Sequence, residues 1–212
     1  MSAARVVVFT KPPAPGRVKT RLIPALGAEG AAALHAAMAA DTLDLCAAVG
    51  LEVTVALAGD LDHPWVEGLR ARGLTVIPQV PGDLGARMAA ALTPGPVLAL
   101  GTDAPTLPAA LLSRAAALEE EVVLGPAFDG GYWLIGWRTP RPALLEGVPW
   151  STEAVLAETV LRARARGIPH RLLPFWYDVD TPDALALLRQ QLRFLPASTA
   201  AATRAALASL LP

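Results

Sequence analysis

The chain has a single cysteine, Cys46, which excludes an internal disulfide and any cysteine-built metal cluster. That residue lies in an apolar helical stretch, where a small core thiol is the expected role. Charge is also scarce: 17% of residues are charged and the formal net charge is -1, which argues against a nucleic-acid binder. No apolar run approaches the ~20 residues needed to span a bilayer. The first strand begins within five residues of Met1, leaving no room for the charged and apolar regions of a signal peptide. A cytoplasmic protein without a membrane span is expected. His35 and His170 lack partners at metal-ligand spacing and His63 stands before Pro64, so a zinc site is not expected. G-x-S-x-G, the P-loop pattern and G-x-G-x-x-G are all absent, which removes the common hydrolase and dinucleotide signatures.

What is present is an apolar chain, 53% hydrophobic over 212 residues, long enough to bury a sizeable core in one domain. β-Branched or apolar runs at 5–10, 52–58, 74–78, 97–100, 122–125, 132–137 and 171–174 read as strands. Helical patterns fall at 28–49, 62–72, 84–92, 108–120, 151–166 and 182–192. A last amphipathic helix over 198–211 is expected to pack on the rest. Strands alternating with such helices predict right-handed crossovers and a mostly parallel central sheet in one α/β domain spanning 1–212.

Four apolar residues, Val97 to Leu100, read as a strand buried on both faces, and they run directly into Gly101-Thr102-Asp103. Ligands of open α/β sheets bind beyond the carboxyl ends of the strands. Asp103 is therefore placed either to hold a hard divalent cation against a phosphate or to cap the helix beginning near Leu107. After the first strand comes a basic loop, Lys11-Pro12-Pro13-Ala14-Pro15-Gly16-Arg17-Val18-Lys19-Thr20-Arg21-Leu22. Its prolines and Gly16 restrict the backbone, so Lys11, Arg17, Lys19 and Arg21 are presented to a polyphosphate unless the loop is merely solvated.

The acids of Asp178-Val179-Asp180-Thr181-Pro182-Asp183 offer a second metal ligand, or else cap the helix at Pro182. In Gly125-Pro126-Ala127-Phe128-Asp129-Gly130-Gly131-Tyr132-Trp133, paired glycines allow close backbone approach and Asp129 suits a base on an acceptor hydroxyl; a plain hairpin turn fits the same letters. In the turn from Gln79 through Gly82-Asp83 to Arg87, the amide suits a base edge, the guanidinium a phosphate, and Asp83 a helix cap.

Taken in order, these elements resemble the bacterial glycosyltransferase-A-like family associated with arsenosugar biosynthesis clusters. That family is related to the guanylyltransferases of the molybdenum cofactor and of 2-phospholactate. The resemblance rests on K-P-P-A-P-G-R-V-K-T-R-L, G-D-L-G-A-R-M, G-T-D-A-P, G-P-A-F-D-G-G-Y-W-L-I-G, P-W-S-T and D-V-D-T-P-D, and runs from about Val6 to Leu188. It implies a Rossmann-like GT-A fold, that of the nucleotide-diphospho-sugar transferases.

By position it implies nucleotide contacts from Thr10, Lys11, Pro12, Gly16, Arg17, Lys19, Arg21, Gln79, Gly82, Asp83, Arg87, Thr102 and Asp103. Asp103 and Asp180 would hold magnesium or manganese. Gly130, Gly131, Tyr132 and Trp150 would face a small-molecule acceptor, with Asp129, Lys19 and Arg21 in the chemistry. One departure stands out: Ala104-Pro105 follows Asp103, so no literal D-x-D exists and the second ligand falls to Asp180. The implied activity is metal-dependent glycosyl transfer from a nucleotide sugar. The alternatives are nucleotidyl transfer from a nucleoside triphosphate, with loss of pyrophosphate, and a nucleotide-binding protein without catalysis. The base, the sugar, the acceptor and the oligomeric state are not specified by the residues.

Overall fold

The apolar runs form the strands their composition predicts. A computed structural model describes residues 5–117 and 119–211. β1 (Arg5–Thr10), β2 (Glu52–Leu57), β3 (Thr75–Pro78), β4 (Val97–Leu100), β5 (Val122–Pro126), β6 (Tyr132–Trp137) and β7 (His170–Leu172) build one sheet in the order β3-β2-β1-β4-β6-β5-β7. All pairings are parallel except those of β6, which runs against both β4 and β5. The short turn between β5 and β6 cannot span a crossover, so the two strands must be antiparallel.

The helices are α1 (Ile23–Ala48), α2 (Pro64–Ala71), α3 (Leu84–Ala91), α4 (Ala109–Ala117), α5 (Val155–Ala165), α6 (Pro182–Leu192) and α7 (Ala201–Leu210). Alternation along the strands sorts the core. Val6, Val8, Leu98 and Leu100 face one layer with Leu43, Leu69 and Leu112, while Val7, Ala99, Leu124 and Ile135 face the other with Met88 and Val160. Cys46 is buried in the first layer, and burial pushes its thiol up to about 12, so it is an inert core residue.

Several helix starts differ from the sequence expectation, with α2 beginning at Pro64 and α7 at Ala201 rather than at 62 and 198. Within α1, Gly27 breaks the helix at φ 70°, ψ 168°, so continuous helix begins at Ala28 as expected, but a helical turn precedes it. Ser151 does not open α5: its φ of 65° is left-handed, and the helix begins at Val155. The segment Thr20–Ala48 is long and apolar enough to cross a membrane by length and composition, with mean hydropathy 1.3, which corrects the expectation that no such stretch exists. Its alanines supply that length. Leu34, Met38, Leu43 and Cys46 are buried against the protein itself, which makes it a core helix.

Leu22, Leu34 and Met38 pack with Val179, Leu188 and Leu207, which seats α6 and α7 on α1. The start of α7 lacks its own side-chain cap. Asp41 of α1 supplies one: its carboxylate accepts from Ala202 N at 2.9 Å and Thr203 N at 2.8 Å.

Candidate active site

Because β1 and β4 are parallel neighbours, with Val8 opposite Leu100, their carboxyl ends emerge side by side. Thr10 and Thr102 are both buried there, their hydroxyls 3.4 Å apart. His35 of α1 joins them, its Nε2 3.3 Å from Thr10 Oγ1 and 3.0 Å from the Lys11 carbonyl. Burial holds the imidazole below its ordinary pKa, so it is neutral near pH 7. A carbonyl only accepts, so the proton sits on Nε2. This histidine was missed in the sequence because no ligand-spaced partner accompanies it.

The basic loop is anchored by buried Val18 and Leu22 and by Pro12, which packs on Gly59. Between those anchors Lys19 adopts φ 45°, ψ 41°, a left-handed backbone unusual for a residue with a side chain. That conformation turns the side chain inward. Its Nζ donates to Asp103 Oδ1 at 2.5 Å, to Asp180 Oδ1 at 2.7 Å and to the Val179 carbonyl at 2.9 Å. An ammonium has three donors, and all are engaged. The Lys19 side chain is 3% exposed, while those of Asp103 and Asp180 are 39% and 45% exposed.

Burial works against the Lys19 charge, but attraction and hydrogen bonds from both acids outweigh it and the pKa rises. A backbone bond from Val179 N to the Asp103 carbonyl, 2.8 Å, ties the two acidic segments together. Asp103 therefore does not cap a helix, since α4 begins only at Ala109.

Two clefts meet at this point. One, of about 500 Å³, includes Thr10, Lys11, Arg17, Gln79, Arg87 and Thr102. Gln79 Nε2 donates to the Ala56 carbonyl at 2.8 Å, which fixes the amide. The other, of about 530 Å³, includes Arg21, Asp129, Gly131, Tyr132, Trp150 and Asp178. Lys19 and Asp180 belong to both, and Asp103 to the first. In the second cleft Tyr132 and Trp150 meet edge to face, centroids 6.4 Å apart. Asp129 Oδ1 accepts from Gly131 N at 2.9 Å, shaping the turn.

Burial, and then Asp103, Asp129 and Asp180, push the Asp178 carboxyl up to about 7. The clefts are oppositely charged. Lys11, Arg17, Lys19 and Arg87 outnumber Asp103 and Asp180 in the first, whereas Asp129, Glu153, Asp178 and Asp180 outnumber Lys19 and Arg21 in the second.

Five expected residues line neither cleft. Pro12 is buried under the loop, and Gly16 forms its turn at φ 75°. Asp83 caps α3 through Ala86 N at 2.8 Å, and the Gly82 carbonyl accepts from Arg87 Nε at 2.9 Å. Gly130 packs on the segment leading into α5, where a Cβ would collide with the Glu153 backbone.

Asp103 and Asp180 converge as the sequence suggests for a magnesium or manganese site, but the occupant of their meeting point is an ammonium of the chain. Among the described residues no group of three His, Cys, Asp or Glu is placed to hold a metal ion. As arranged, the Lys19 ammonium stands at the point where Asp103 Oδ1, Asp180 Oδ1 and the Val179 carbonyl meet.

Residues 42–152 match the family model described as "Uncharacterized protein conserved in bacteria (DUF2064)". No functionally curated protein matches the sequence. Among solved structures, a candidate nucleotide-diphospho-sugar transferase from Desulfovibrio desulfuricans G20 is 32% identical with a TM-score of 0.88, over 99% of this chain and 97% of that one. CTP:phosphocholine cytidylyltransferase from Streptococcus pneumoniae is 9% identical with a TM-score of 0.59, over 90% of this chain and 100% of that one. Inositol-1-phosphate CTP transferase from T. maritima is 12% identical with a TM-score of 0.55, over 100% and 99%. The last two likenesses are of fold alone. The fold is that of the nucleotide-diphospho-sugar transferases.

Proposed function

This chain belongs to the DUF2064 family of conserved bacterial proteins, and we propose that it transfers a glycosyl group from a nucleotide-activated sugar to an acceptor without negative charge. The fold and the relatives are those of transferases. The observation that carries the reading is the pairing of a cationic and an acidic cleft at one shared point.

The nucleoside diphosphate of the donor lies in the cationic cleft, where Lys11, Arg17 and Arg87 meet the charge that develops as it departs. The acceptor lies in the acidic cleft, against the wall that Tyr132 and Trp150 form together. Asp129 takes the proton of its hydroxyl as that oxygen attacks the anomeric carbon and the bond to the diphosphate breaks. Thr10, His35 and Thr102 hold the floor of the donor cleft. Magnesium or manganese would reach Asp103 and Asp180 only by displacing Lys19.

Nucleotidyl transfer to a phosphate-bearing acceptor is a second reading, favoured by Arg21 on the acceptor side. There, however, acids predominate, and like charge repels an anionic acceptor. The test is product analysis with a panel of nucleotide sugars and nucleoside triphosphates, each with neutral, cationic and phosphorylated acceptors. Release of nucleoside diphosphate from a nucleotide sugar is expected. Pyrophosphate release from a triphosphate would move the assignment to the second reading. A protein that no nucleotide stabilises against heat would refute both.

A further inference from the structure

We propose that Lys19 is the resident cation of this centre: its ammonium holds the position between Asp103 and Asp180, so the free protein binds no divalent ion there, and removing the ammonium turns the acid pair into a metal site. The argument is geometric. Three oxygens, two from carboxylates and one from the Val179 carbonyl, surround a single nitrogen at 2.5 to 2.9 Å. A divalent ion seeks that same oxygen set, at shorter distances. Both cations cannot share it, because a divalent ion touching the same oxygens would stand against the ammonium and be repelled by it.

Several features are specific to an ammonium at this place. The Lys19 side chain is sealed from water while the acids remain partly open, so the cation is held from behind. The left-handed backbone at residue 19 carries a conformational cost for a residue with a Cβ, and it aims the stem at the acids. The chain has two lysines against 16 arginines. At residue 19 it uses the compact point charge, whose donors fan out to separate oxygens, where a planar guanidinium would not reproduce the contacts. Pro105 stands where a paired acid would strengthen a metal site, and Asp180 comes instead from a segment that also supplies a carbonyl to the ammonium.

The consequence for the site is charge balance. Lys19 neutralises one of the two acids, so a donor diphosphate can approach Asp103 from the cationic cleft without a metal ion. This inference rests on the nucleotide-donor reading only for that consequence; the cation assignment itself is independent of the group transferred.

The experiment is a Mn²⁺ titration of the full-length protein without nucleotide, followed by the electron paramagnetic resonance signal of free Mn²⁺. Wild type, D103N, K19M, K19A and K19M/D103N are compared, with circular dichroism to verify folding. Wild type is expected to show no saturable Mn²⁺ site. K19M and K19A should each gain one saturable equivalent of Mn²⁺, and K19M/D103N should lose it. A wild-type site that D103N removes overturns the proposal, as does a folded K19M that gains nothing. If neither Lys19 variant folds, wild type and D103N decide between these outcomes on their own. Nucleotide binding is read separately from thermal shifts without metal, so a protein that ignores nucleotides counts against the proposed function and leaves the Mn²⁺ result standing.

Discussion

The two clefts are nearly equal in volume and open at the same sheet end, yet they carry opposite charge and are built in opposite ways. The cationic one takes Lys11, Arg17 and Lys19 from a single loop after β1, with Arg87 added from α3. The acidic one gathers Asp129, Glu153, Asp178 and Asp180 from the β5–β6 turn, the approach to α5 and the approach to α6. The cationic cleft is thus written largely as one motif, whereas the acidic cleft is assembled by topology. The parallel strands fix where the first must lie, and the loops are free to define the second.

Asp129→Asn should break the comparison most sharply. If Asp129 is the base, kcat falls on the order of 10²-fold, with nucleotide affinity unchanged in calorimetry; an unaltered kcat would mean the acidic cleft does not do the chemistry. Next is Arg17→Ala, which removes a charged contact from the donor side. Binding of a nucleoside diphosphate should weaken about tenfold, and raising salt should erode wild-type affinity more than that of the variant. Smaller again, Glu153→Gln should sharpen the charge argument. Inhibition by phosphorylated acceptor analogues should improve by roughly threefold, about 0.6 kcal/mol, while neutral acceptors are unaffected.

The last prediction lies outside both clefts. Asp41→Ala removes the cap of α7 and should cost about 1–2 kcal/mol, lowering Tm by about 2–4 °C per kcal/mol in calorimetry. Nucleotide affinity should not move. If it does, the packing of α7 on α1 reaches the donor cleft through His35.

These contrasts also explain what could be read beforehand. Val97–Leu100 and Tyr132–Trp137 were legible to the residue because a buried strand leaves an uninterrupted apolar run. The cationic loop was legible because its charges are contiguous. The role of Lys19 within it was not: a sequence suggests cations for phosphates, but the inward turn depends on a left-handed backbone and on acids distant in the chain. Asp83 and Gly82 looked like ligand contacts because helix caps and anion-binding turns draw on the same small polar residues. His35 and Asp178 take their character from burial, which appears only once α1 and the approach to α6 are packed.

The reversed direction of β6 sets how freely the two sides of the site can change. A parallel strand must be reached through a helix, so the cationic side is tied to crossovers packed into the core. The β5–β6 hairpin turn hangs from two strands that already hold each other, and Asp129 through Tyr132 sit at its tip. Such a tip is an exchangeable cassette. Its length and residues can change without breaking the pairing of β5 with β6 or the crossovers that carry the cationic loop.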